Sequence, residues 1–217
     1  MSKLVWDQTG ERLYETGIEQ VALYKQVAGA YPAGVAWNGI TALNLSPSGA
    51  EPTALYANNS KYLTLLSLEE LAFTIEAYTY PDEWAECDGS KEIVPGVYAG
   101  QQDRVPFGLV GKTLIGNDTE GTKHGYKLHI IYGGKASPSE QSNSTVNDSP
   151  EAKTMSWECN TDPVPVAGFK PTSYLCIDST KVDATKLAAL EAILYGSDEV
   201  EARLPLPTEI STMMAEA

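Results

Sequence analysis

LAFTIEAYTY, residues Leu71 to Tyr80, alternates with a period of two: Leu71, Phe73, Ile75 and Ala77 fall on one face, and Ala72, Thr74, Glu76, Tyr78 and Tyr80 on the other. A helix would need apolar residues every three or four positions, so this stretch reads as a strand with one buried face. YKLHIIY, Tyr126 to Tyr132, repeats the pattern, with Tyr126, Leu128, Ile130 and Tyr132 on one side. Further strands are expected over Gly34–Leu45, Ala54–Leu66, Pro106–Ile115, Thr154–Thr161 and Thr172–Asp178, bounded by turn sequences such as SPSG, ANNS, GND and DSPE. This many strands predicts a mainly β fold, a sandwich or barrel.

One helix is specified within that frame. Asp183 can cap it, Leu187, Leu190, Ile193 and Leu194 form a one-sided stripe, and Gly196 can end it as a left-handed residue. The stripe must be buried, most simply against a sheet face. The expected architecture is a single domain over 1–217 with one packed helix at about 183–195. Two long connections interrupt it. Gly133–Ala152, GGKASPSEQSNSTVNDSPEA, is too polar for a core. The segment 197–217 carries Asp198, Glu199, Glu201, Glu209 and Glu216 against Arg203, and its LPLP run predicts an extended acidic tail.

Composition limits the function. Fifteen Lys and Arg face 29 Asp and Glu, a net charge of −14. Gripping nucleic acid means neutralising phosphates with Lys and Arg, so this balance argues against a DNA-binding protein and against an anionic membrane as partner. It permits a protein past which DNA slides. The N-terminus MSKLVWDQTGERLYETG has no apolar core of signal-peptide length, and no stretch approaches the ~20 apolar residues of a membrane helix. A chain made in the cytoplasm is expected.

The sequence offers no catalytic, cofactor-binding or metal-ligating constellation. His124 is expected in a turn and His129 in a strand, opposite the Leu128 and Ile130 face, and no nucleophile-elbow sequence accompanies either. GLVGKT, Gly108–Thr113, has the ending of a phosphate loop. Pro106 stands where its first glycine belongs, however, and strand pattern continues through Leu114 and Ile115. Glu69–Glu92 holds eight acids and one base, Lys91, without calcium-loop spacing, and reads as a solvated acidic loop. Cys87, Cys159 and Cys176 match no zinc spacing and read as small buried hydrophobes, while Trp6, Trp37, Trp84 and Trp157 read as core or interface anchors.

Four segments carry a resemblance that composition alone does not give: GVAWNGITALNLSPSGAEPTALYANNSKYL (34–63), EAYTYPDEWAECDGS (76–90), VPFGLVGKTLIGNDTEGTKHGYKLHIIYGGKASPSEQSNSTVNDSPEA (105–152) and GFKPTSYLCIDSTKVDATKLAALEAILYG (168–196). In order and together, they resemble the major tail, or tail tube, proteins of siphophages infecting Gram-positive bacteria. The NDTEG turn and the STVNDSPEA loop are the most telling pieces.

The resemblance implies a β-sandwich or barrel-like tail tube fold with a packed helix, assembled as homohexameric rings stacked into a conduit for DNA delivery. It implies a structural virion protein without enzymatic activity, assembled in the host cytoplasm and residing in the viral tail. Its partners would be further copies of itself, the tape measure protein, the tail terminator and the distal tail or baseplate proteins, with double-stranded DNA passing without sticking. The 133–152 loop and the acidic tail would bridge successive rings. The competing readings are the tube of a phage-tail-like bacteriocin or contractile particle, and an extracellular β-sandwich binding module.

Overall fold

The computed structural model describes residues 3–145, 148 and 152–215. The chain runs through β1 (Tyr14–Lys25), β2 (Gly34–Ala36), β3 (Ile40–Gly49), β4 (Pro52–Ala57), β5 (Ser60–Leu66), β6 (Glu69–Ala77) and the short helix α1 (Trp84–Cys87). It continues with β7 (Lys91–Val94), β8 (Val97–Ala99), β9 (Phe107–Asn117), β10 (Gly121–Ala136), β11 (Met155–Thr161) and β12 (Tyr174–Asp178). Two helices close it, α2 (Ala184–Tyr195) and α3 (Pro207–Ala215). The fold is mainly β, built of antiparallel sheets, as the alternating segments require.

Eight strands form one hydrogen-bonded sheet in the order β2-β1-β9-β10-β11-β6-β3, with β12 also paired to β10. β10 serves two groups of strands. Its Lys127–Ile131 stretch pairs with β12, and its Gly134–Ala136 end pairs with β11. Between these stretches Gly133 takes φ +63, and a Cβ there would lie 2.2 Å from the Asp162 carbonyl oxygen, so only glycine fits the crossing. The sheet thereby divides into a leaf of β2, β1, β9, β10 and β12 and a leaf of β3, β6 and β11.

The two leaves enclose one core, sandwich-like. Val21, Leu23, Phe107, Leu109 and Ile131 from the first leaf share it with Phe73, Ile75, Ala77, Trp157 and Cys159 from the second. Trp37, Trp84 and Trp157 fill its centre, with ring centroids 4.7 Å apart for Trp37–Trp84 and 5.5 Å for Trp84–Trp157. The alternate residues of the first leaf, Ala22, Tyr24, Val110, Leu128, Ile130 and Tyr132, form a second core with Leu187, Leu190 and Leu194 of α2 and Ile210 of α3. Asp183 caps α2, accepting from the Thr185 and Lys186 amides. Gly196 ends it at φ 80 and ψ 168, a glycine-only region but an extended one rather than the left-handed helical residue expected. Tyrosine hydroxyls tie the helical layer to the sheet, Tyr24 donating to the Leu194 carbonyl and Tyr132 to the Pro205 carbonyl.

Several boundaries depart from the sequence reading. Asn38-Gly39 breaks the expected Gly34–Leu45 strand into β2 and β3, and Asn58-Asn59 folds Ala54–Leu66 into the hairpin β4–β5. SPSG is not a turn. Ser46–Gly49 continues β3 alongside Glu69–Ala72, and Pro47 is tolerated because β3 pairs on one side only. Gly133–Ala136 belongs to β10, so the polar connection starts at Ser137. Its first residues lie along β11, where Ser137 donates its amide to the Glu158 carbonyl and Ser139 Oγ accepts the Glu158 amide at 3.0 Å. Residues 146, 147 and 149–151, most of the STVNDSPEA stretch, lie outside the described residues.

The C-terminal segment is not an extended acidic tail. Leu204 bridges to Tyr31, Arg203 grips both carboxylate oxygens of Glu209, and Pro207 opens α3, its fixed φ suiting the first helical turn. Ile210 is buried, with Met213 and Met214 packed beside it. That i, i+3, i+4 spacing outweighs the flanking acids. The acidic stretch 69–92 is no single loop either. β6 occupies its start, Trp84 and Cys87 of α1 are buried beneath its middle, and β7 begins at its end.

Candidate functional site

Surfaces rather than a cleft carry the unusual features of this chain. The most distinct is the β4–β5 hairpin. Asn58 and Asn59, at φ 50 and 58, make the two-residue turn that matches strand twist. The hairpin then stands apart from the eight-stranded sheet, its strands paired only with each other among the described residues. Both its strands are exposed along almost their whole length, with Tyr56 at 73%, Tyr62 at 72% and Leu66 at 71%, and Leu68 just beyond at 87%. Leu55 opposes Leu63 across the ladder, and Thr53 opposes Leu65. An isolated two-stranded hairpin is marginal in water, and apolar groups on both faces cost solvation free energy until covered. Its base is fixed by Gly49 at φ +85, where a Cβ would sit 2.1 Å from the Leu68 carbonyl oxygen.

Two further apolar groups lie exposed. Leu4, Val5 and Trp6 precede β1, and the second detached hairpin, β7–β8, presents Ile93, Val94, Val97 and Tyr98 around the Pro95-Gly96 turn. Trp6 is thus no core anchor, whereas Trp37, Trp84 and Trp157 are. The open edge of β3, ten residues long, is a third unsatisfied feature, because its backbone groups on that side have no strand partner among the described residues.

The outer face of the β3-β6-β11 leaf has a different chemistry. Its residues alternate with the core-facing ones: Asn44, Ser46 and Ser48 from β3, Glu70, Ala72, Thr74 and Glu76 from β6, and Ser156, Glu158 and Asn160 from β11. Register sets Thr74 between Asn44 and Glu158, and Glu76 opposite Ser156. The three strands contribute short polar side chains and carboxylates to this face, and neither Lys nor Arg. At its margin Lys135 of β10 lies opposite Asn160 and is ion-paired with Asp162. Such a surface repels phosphate through its carboxylates and offers it no cation from the three strands.

The remaining residues singled out in the sequence are dispersed. Gly108–Thr113 lies within β9, in extended conformation. Cys87 and Cys159 are buried, and burial raises both thiols, Cys87 to about 12. Cys176 is exposed on β12, contrary to its expected burial. His124 lies in β10 rather than a turn and contacts Glu120 at 2.7 Å, while His129 is half-buried in the same strand. No helix among the described residues is long and apolar enough to cross a membrane.

Comparison with models of known protein families, and with curated proteins, finds no match to this chain.

Proposed function

We propose that the chain is the major tail tube protein of a long, non-contractile-tailed bacteriophage, polymerising as stacked hexameric rings into the conduit for DNA. The observation that carries the reading is the β4–β5 hairpin, a self-paired arm whose leucines and tyrosines lie exposed among the described residues. A subunit built to polymerise is expected to hold apolar arms and open strand edges for its neighbours to complete. The resemblance of the four sequence segments to tail tube proteins is what favours a tail tube as the polymer. Tape measure, terminator and distal tail proteins would meet the two ends of such a tube.

On this reading the β3-β6-β11 leaf faces the lumen and the helical layer faces outward. Glu70, Glu76 and Glu158 would then keep the passing duplex from adhering, since each exposed base adds a phosphate contact. Electron microscopy of concentrated or seeded protein tests the assignment: tubes of stacked sixfold rings are expected. A chain that stays monomeric at every concentration and seed overturns it.

Two predictions follow from the charge. Glu76→Lys with Glu158→Lys replaces two acids by two bases, moving the net charge from −14 to −10. Tubes of this variant should retain double-stranded DNA at low salt where wild-type tubes do not, measured by co-sedimentation. Equal, negligible retention would place the face elsewhere than the lumen. Subunits each carrying −14 repel as they stack, over about 8 Å at physiological salt. Light-scattering growth curves should therefore quicken as salt is raised within the soluble range, and slowing would indicate assembly held by ion pairs between subunits.

A further inference from the structure

The turn between β2 and β3 is built on Asn38-Gly39, the one place in the chain where glycine follows asparagine. The backbone on either side of it is anchored. Trp37, buried at the centre of the core, donates its amide to the Val21 carbonyl and its ring Nε1 to the Thr79 carbonyl, each at 2.8 Å. Beyond the turn, the Gly39 carbonyl accepts the Tyr78 amide at 2.8 Å, and Ile40 enters the ladder opposite Ala77. The chain crosses from one leaf to the other between these anchors, with Gly39 at φ 79 in the third position of the turn. Glycine is required there, because a Cβ would also lie 3.0 Å from Thr79 Cγ2.

The crown of the turn is free. Asn38 and Gly39 are both exposed. Neither the Asn38 carboxamide nor the Gly39 amide has a hydrogen-bond partner among the described residues. Other asparagines are held or shielded. Asn117 Oδ1 accepts the Thr119 and Glu120 amides, its Nδ2 donates to the Gly10 carbonyl, and Asp118 follows it. Asn44 Nδ2 donates to Glu76, and a leucine follows. Asn59 shares the exposed setting of Asn38, but Ser60 places a Cβ beside the following nitrogen.

The chemistry open to this pair is intramolecular. Once hydroxide has taken its proton, the Gly39 nitrogen is a nucleophile within reach of the Asn38 side-chain carbonyl carbon, and no Cβ on the glycine obstructs the approach. A bond forms between Gly39 N and Asn38 Cγ, the bond from Cγ to Nδ2 breaks, and Nδ2 leaves as ammonia. The resulting succinimide is opened by water at one of its two carbonyls. Opening at Cγ leaves aspartate, and opening at the main-chain carbonyl leaves isoaspartate, with the main chain rerouted through Cβ and Cγ. In sum, one water enters and one ammonia departs.

We propose that Asn38 is a site of spontaneous deamidation through a succinimide closed on Gly39. Each event adds one carboxylate, taking the subunit from −14 to −15. The isoaspartyl product also lengthens the main chain by one methylene between the Trp37 and Gly39 anchors. The glycine that the turn demands is thus the residue that leaves its asparagine open to attack. The proposal stands independently of the tube reading.

Ageing the full chain in mildly alkaline buffer, followed by peptide mass mapping and isoaspartyl methyltransferase labelling, tests it. Asn38 should convert ahead of Asn59 and Asn117, at a rate proportional to hydroxide concentration, giving aspartyl and isoaspartyl peptides together. Asn38→Gln keeps a carboxamide but sets it one methylene further from the Gly39 nitrogen, and should lose most of the methyl labelling. Conversion at Asn38 no faster than at Asn59, or labelling undiminished in Asn38→Gln, overturns the proposal.

Discussion

Leu190→Asp should leave the chain insoluble on expression. Leu190 is fully buried at the middle of α2, in one cluster with Leu187, Leu194, Leu128, Ile130 and Tyr132. Nothing in that cluster can pair a carboxylate, and burying one unpaired costs several kcal/mol. The whole stability of a domain is roughly 5–15 kcal/mol, so one substitution removes a large part of it. Leu190→Ala separates charge from size, since it leaves only a cavity and should cost about 2–5 kcal/mol while keeping a folded chain. Soluble fraction and denaturant unfolding of the two variants make the measurement. A soluble, folded Leu190→Asp would mean that α2 turns its stripe toward a partner.

Removing the apolar side chains of the β4–β5 hairpin should have the opposite signature, with folding retained and polymerisation lost. Leu63 and Leu65 lie on the exposed hairpin and belong to neither core, so Leu63→Ser with Leu65→Ser should unfold at the same denaturant concentration as the parent. If neighbouring subunits bury both leucines, each contributes about 1.5–3 kcal/mol to the contact. Losing some 3 kcal/mol or more raises the critical concentration for assembly by on the order of 100-fold. Sedimentation across a concentration series reads this directly. Assembly at the parental concentration would show that the hairpin is not a contact between subunits, and the tube reading would lose its main structural support.

Much of the sheet was legible because burial imposes a two-residue period. Phe73, Ile75 and Ala77, and likewise Leu128, Ile130 and Tyr132, are buried on the faces that their alternation selects. α2 was legible because cap, stripe and terminal glycine coincide. β1 escaped notice for a physical reason: its two register shifts throw Gly17, Glu19 and Gln20 out of alternation, so the pattern cancels across the strand. α3 was hidden by its acids and by LPLP, although Pro207, Ile210, Met213 and Met214 already had helical spacing.

The surfaces were harder to read. The ANNS turn was visible, but detachment of the hairpin from the sheet depends on which strands pair at long range, and alternation carries no information about partners. The base-free character of the β3-β6-β11 face likewise emerges only when three separate segments are set in register. Glu15, Thr113, His129 and Tyr174 meet side chain to side chain across four strands, and no local pattern connects them.

The pairing of β1 with β9 also has a consequence for the order of events during synthesis. Tyr14 pairs with Gly116 and Lys25 with Phe107, so beyond its three-residue pairing with β2 the first strand meets its main partner only after some eighty to a hundred further residues have been made. At about 5–20 residues per second, that is a wait of roughly 5–20 s. Meanwhile β3 and β6 can zip with the hairpin between them, but β11, the other neighbour of β6, comes later still. The nascent chain therefore carries Val21, Leu23, Phe73 and Ile75 unburied for seconds before either core can close. A ribosome-associated chaperone would find its longest opportunity on this chain between the emergence of β1 and that of β9.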